Sequence, residues 1–147
     1  MKSAIAPFLF ALFPVLFLFS HNIGETVFGD VFIPSLVVLM ATSVVVAIFF
    51  FIFRNIEMSA LAALLFLILF FSFGHIRAAL DDVQIAGVDI SRNRYIFLIL
   101  FVVFSAGIFG IWRKRNALFL FTKIANVTAG ILVLVSLFNI AVYQIGR

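Results

Sequence analysis

Cysteine is absent from the 147 residues, which excludes disulfides, thiolate metal sites and cysteine nucleophiles and leaves no mark of the redox compartment. Charge is scarce as well: Asp, Glu, Lys and Arg make up 11% of the chain against 66% hydrophobic residues, and the mean hydropathy is +1.34. A water-soluble fold would lack the polar side chains to cover its surface, so lipid is the solvent this composition suits. Each spanning helix takes roughly 20 apolar residues, so the chain holds at most about six spans with short connections and leaves no room for a soluble domain.

Catalytic signatures are missing too. The sequence contains no glycine-rich phosphate loop, zinc-protease motif or nucleophile elbow. Ser20 beside His21 is only a neighbour pair, with no third group to orient the base. The expectation is a protein that is not an enzyme, with no catalytic residues and no cofactor.

What is present is a succession of apolar runs, at residues 5–20, 31–53, 58–74, 95–112 and 117–143. They predict an all-α fold: one polytopic transmembrane bundle of about five spans over residues 1–147. The first run follows Lys2 and has the look of a secretory signal, but Leu18 and Ser20 do not give the small-x-small cleavage pattern, so an uncleaved first span is expected. Pro7 and Pro14 fall on one face of it, and Pro14 removes a backbone hydrogen bond near its middle, which predicts a kink. Pro34 stands in the first turn of the second run, where a missing amide hydrogen costs little. Residues 54–57 end that run abruptly, so the second and third helices should form an antiparallel hairpin.

From His75 to Arg94 the chain is polar, yet Ile76, Leu80 and Val83 recur at helical spacing with Asp81 and Asp82 on another side. This stretch is either a short interfacial helix ending near Gly87 or an irregular loop. The fourth run has Tyr95 and Trp112 at its ends as interface anchors, and Ala106 and Gly110 in small-xxx-small spacing, which predicts close helix contact on that face. The 22 phenylalanines, including Phe49, Phe50, Phe51, Phe70 and Phe71, are accounted for by bulk packing against lipid and neighbouring helices.

The net charge of +4 is spread between the apolar runs rather than gathered in one patch, so it reads as a topology signal and not as a nucleic-acid footprint. With the N-terminus inside, the inner segments hold Lys2, Arg54, Arg113, Lys114 and Arg115 against Glu57 alone. The outer ones hold Glu25, Asp30, Asp81, Asp82 and Asp89, offset by Arg77, Arg92, Arg94 and Arg147. The excess of basic residues predicts a cytoplasmic N-terminus and, for five spans, an extracytoplasmic C-terminus.

Polar residues within the spans concentrate in the fifth run. Lys123 lies two turns in, but a helical side chain points back toward its own N-terminus, so it can snorkel to the basic surface. Thr122, Asn126, Ser136, Asn139 and Tyr143 share one broad face, a polar packing face whose partners would be Thr42 and Ser43 of the second span or Ser105 of the fourth. That face serves as structural glue or as a ligand or lipid groove. The Asn126-Val127-Thr128 triplet matches a glycosylation acceptor, but inside a span it is out of the enzyme's reach. His21 and His75 end the first and third spans near Glu25, Asp30, Asp81 and Asp82. They are the only candidates for a divalent ion or haem, set against plain bonding to loop backbone or water.

Four segments carry a family resemblance: residues 13–25 (FPVLFLFSHNIGE), 69–76 (LFFSFGHI), 124–127 (IANV) and 138–145 (FNIAVYQI). Together they resemble the N-terminal membrane region of bacterial and archaeal sulfatase-like membrane proteins of the alkaline phosphatase superfamily. The resemblance implies a bacterial or archaeal cell membrane and a helical anchor whose C-terminus emerges outside. In such proteins a hydrolase or transferase domain follows, and none of its nucleophile or metal ligands has a counterpart before Arg147. Three functional expectations result. The first is a non-enzymatic anchor, scaffold or small subunit, whose partners are the bilayer and other membrane subunits or an extracytoplasmic domain, not nucleic acid. The others are a small transporter or lipid-handling protein using the Asn126 face, and an accessory subunit of a pigment-binding or electron-transfer complex.

Overall fold

A computed structural model describes residues 4–25, 27–80, 83–85, 88–89 and 92–145. Five α-helices carry the fold: α1 (Ala6–His21), α2 (Phe32–Phe53), α3 (Ile56–Ala79), α4 (Asn93–Arg113) and α5 (Leu118–Ile145). Single 3-10 turns, Phe28–Val31 and Arg115–Ala117, lead into α2 and α5. Four stretches are long and apolar enough to cross a bilayer: Gly29–Phe53, Ile56–Ala79, Asn93–Arg113 and Arg115–Tyr143. At 16 residues α1 is shorter, about 24 Å of helix against a hydrocarbon core of about 30 Å.

The turn between α2 and α3 consists of Arg54 and Asn55. Arg54 takes left-handed dihedrals (φ 53°), and its amide donates to the Phe50 carbonyl at 2.9 Å. The Asn55 side-chain oxygen then accepts from the Met58 amide at 2.9 Å, capping α3. Two residues suffice because the first closes one helix and the second opens the next, which produces the expected hairpin.

Three expectations are corrected. The third helix does not stop near Gly74 but runs on through Ala79, so Ile76 belongs to its own last turns rather than to a separate interfacial helix. Beyond it, Gln84–Ile85 pairs antiparallel with Val88–Asp89, in a hairpin instead of an interfacial helix ending near Gly87. Asp81, Asp82 and Gly87 lie outside the described residues. The close contact on α4 falls on Gly107, where a Cβ would collide with the Leu65 side chain, and not on Gly110, which has nothing within 4 Å, or on exposed Ala106. The reason is register: α4 turns Ile96, Leu100, Phe104, Gly107 and Ile111 inward, and Ala106 lies off that stripe.

Helix directions follow from the contacts. Ala6 meets Asn126 and Gly24 approaches the Tyr143 hydroxyl, so α1 and α5 run parallel. Phe66 meets Phe104 and Phe73 stacks on Phe97, so α3 and α4 are antiparallel. Small side chains dominate the centre: Ala6 and Ala11 of α1, Ser59, Ala60, Ala62 and Ala63 of α3, and Ala129 and Ser136 of α5 are all buried. Water gives no push between helices in lipid, so close backbone approach at small residues supplies the packing attraction. The hub is α3, which touches each of the other helices and buries 39% of its spanning window, against 6% for α4. A larger apolar cluster, Phe19, Ile23 and Ile140 with Leu16 and Val31, ties α1 to α5 and to the start of α2 at the far end.

Candidate functional site

The alternation of helices brings Arg54, Arg113, Lys114 and Arg115 to one end of the bundle and His21, Glu25, Asp30, His75, Arg92 and Arg94 to the other. At the basic end the polar residues of α5 meet the start of α1. The Ala6 amide donates to the Asn126 side-chain oxygen at 2.8 Å. The rest of that first turn is also accounted for, since Pro7 has no N–H and the Phe8 and Leu9 amides both donate to the Ile5 carbonyl at 3.1 Å. Asn126 stands eight residues beyond Leu118, about 12 Å into α5, so α1 begins at that depth. There an unpaired backbone N–H would have no water to turn to.

Asn126 thus bonds to a helix terminus, a partner not among the expected Thr42, Ser43 and Ser105. The Thr42 and Ser43 hydroxyls donate to the Val38 and Leu39 carbonyls of their own helix, at 2.6 and 2.8 Å. Ser59 and Ser136 bond their own helices in the same way. On α5, Thr122 and Ser136 are buried on the stripe that also holds Leu118, Ala129, Val133 and Ile140, whereas Asn139 is exposed. Lys123 is exposed one turn before the Asn126 level. Two buried side-chain atoms among the described residues have no hydrogen-bond partner, Thr122 Oγ1 and Glu57 Oε1. Glu57 sits in the first turn of α3, where the helix dipole favours a carboxylate.

Among the described residues, two larger concavities open between the helices, besides a smaller one of about 380 Å³ between α1 and the start of α2, beside Glu25 and Asp30. One, of about 560 Å³, lies between α3, α4 and α5, with Phe10 of α1 at its edge. Its walls are Leu61, Leu64, Leu65, Ile68, Gly107, Gly110, Ile111, Phe121, Ile124, Ala125, Thr128, Ala129 and Leu132, and Lys114 is its one charged residue. The other, of about 870 Å³, is lined by seven phenylalanines (Phe49, Phe66, Phe70, Phe73, Phe97, Phe101 and Phe104) with Leu69, Leu100 and Gly74. Ring contacts knit this wall together: Phe66 meets Phe104 edge-on at 6.4 Å, Phe49 approaches Phe104 at 5.9 Å, and Phe73 stacks on Phe97 at 5.1 Å.

The histidines are both exposed. His21 Nδ1 lies 3.0 Å from the Phe17 carbonyl and 3.3 Å from Ser20 Oγ, and its ring sits 4.1 Å from that of Phe17. Ser20 donates to the same carbonyl at 2.8 Å. His75 stands one turn before the end of α3. Among the described residues no three His, Asp or Glu side chains gather as metal ligands. Asp30 is engaged locally, its carboxylate accepting the Val27 amide at 3.0 Å.

Sequence reasoning missed the buried Glu57, the place of Lys114 at a groove mouth and the Gly107 contact. Pro7 was the available signal for Asn126: it marks a first helical turn, and hence orphan amides, at the depth where α5 carries an asparagine. No protein-family model, curated protein or solved structure matches this chain. The fold and its apolar surfaces define a multi-pass helical membrane protein.

Proposed function

We propose that the chain is a non-catalytic membrane subunit or anchor that joins a larger assembly through α4. One observation carries this reading: α4 packs on its own bundle along a single stripe, mainly against α3 with Phe49 of α2 beside it, and its opposite surface, with Val102, Ala106 and Phe109 on one side, is bare. Ala106 lets another helix approach closely there. The non-catalytic part draws support from five polar side chains of the spans, since Thr42, Ser43, Ser59, Asn126 and Ser136 are engaged with helix backbone, while Thr122 Oγ1 is buried without a partner. The basic end carrying Arg54, Arg113, Lys114 and Arg115 is the cytoplasmic one in this reading. The sulfatase-like resemblance favours the anchor form, with an extracytoplasmic partner at the opposite end.

Extraction from native membranes in a mild detergent should give a stoichiometric complex with another membrane protein, and Ala106→Trp should release it. A chain that purifies alone, wild type and A106W alike, ends the subunit reading.

A further inference from the structure

We propose that the groove between α3, α4 and α5 seats an acyl chain of an anionic phospholipid whose phosphate is held by Lys114. The groove runs along α5 from Phe121 to Leu132, about 16 Å, and reaches Ile68 near the middle of α3. That is about half of a 30 Å hydrocarbon core, the depth of one leaflet. A partner transmembrane helix would need a groove continuing through both leaflets, so the shape selects a lipid tail. Its volume of about 560 Å³ suits a chain rather than a whole lipid, with the headgroup left outside. Gly110 of α4 and Ala125 and Ala129 of α5 keep the groove open, because none of them carries a side chain long enough to fill it.

Charge then selects the headgroup. Lys114 follows the last residue of α4, at the boundary where that helix ends, and it is exposed. Its ammonium makes no hydrogen bond or ion pair with the described residues, and no carboxylate lines the groove beside it. Arg113 and Arg115 flank it in the chain and add to the local positive field. Basic pockets between membrane helices hold anionic headgroups in this way, and each cation near the surface contributes about 1 kcal/mol. A zwitterionic headgroup would bring a second cation to a site already basic.

Fluorescence quenching tests the proposal on the full chain in nanodiscs. Trp112, the one tryptophan, is replaced by Phe, and Phe121 on the groove wall becomes the reporter as Phe121→Trp. Phosphatidylglycerol with brominated acyl chains should quench this reporter well beyond its mole fraction, and brominated phosphatidylcholine only in proportion to it. Lys114→Ala should reduce the preference about fivefold, while Arg94→Ala at the opposite end leaves it unchanged. Ala125→Leu, which narrows the groove, should lower quenching by both lipids. Equal quenching by the two lipids, or a preference that survives Lys114→Ala in protein with unaltered helical circular dichroism, would overturn the assignment.

Discussion

Asn126 closes the first turn of α1, and the energetics of that single bond can be measured. Asn126→Ala leaves the Ala6 amide without its acceptor at membrane depth, at a cost of about 1–2 kcal/mol. The thermal unfolding midpoint in detergent should fall accordingly, whereas Asn139→Ala, at an exposed position on the same helix, should leave it unchanged. Arg54 tests the opposite sign. It holds left-handed dihedrals that glycine adopts without steric cost, so Arg54→Gly should stabilise the α2–α3 hairpin by about 0.5–1 kcal/mol in the same assay. At this scale the sequence was legible for residue type and less so for partner. An asparagine in hydrocarbon announces a hydrogen bond. Its acceptor role toward a backbone amide 120 positions away depends on where α1 starts, which hydropathy alone does not fix. Glu57 illustrates the same gap, because a carboxyl next to a turn reads as solvated until α3 is seen to bury it.

Among the helices, α3 occupies the centre because its alanines and serine admit neighbours on several sides, and α4 is attached along one stripe. Gly107→Leu drives a side chain into Leu65 and should destabilise the α3–α4 contact by about 1–3 kcal/mol. Gly110→Ala meets open space and should be neutral or slightly stabilising, so the pair of midpoints distinguishes register from mere glycine content. Apolar runs located every helix, since length and hydrophobicity are all a lipid-facing segment needs. Helix ends were harder where the polar boundary is gradual. At α3 the side chains after Gly74 turn polar while the backbone continues to hydrogen-bond, and only the backbone decides where a helix stops. The Ala106 and Gly110 spacing likewise names a face without naming the neighbour that fills it.

For the molecule as a whole, the absence of cysteine makes topology directly measurable, because each introduced thiol is the only one present. Arg54→Cys and Arg115→Cys should react with an impermeant maleimide only after the cytoplasmic side is opened. Glu25→Cys and Arg94→Cys should react in intact cells. The reverse pattern would invert the proposed orientation while leaving the fold intact. Charge distribution made that orientation legible as an expectation, and alternation of the helices carries the basic turns to one shared end.

The lengths of the two parallel neighbours carry a last consequence. A 16-residue helix beside a 28-residue one presents about 24 Å against about 42 Å. Lipid on the flank of Phe17 and Leu18, both exposed, therefore meets a thinner wall than lipid elsewhere on the bundle. This is hydrophobic mismatch built into one chain, met by local thinning of the bilayer or by tilt of the longer helix. In bilayers of graded acyl length, the unfolding midpoint should peak with short chains and decline as the membrane thickens.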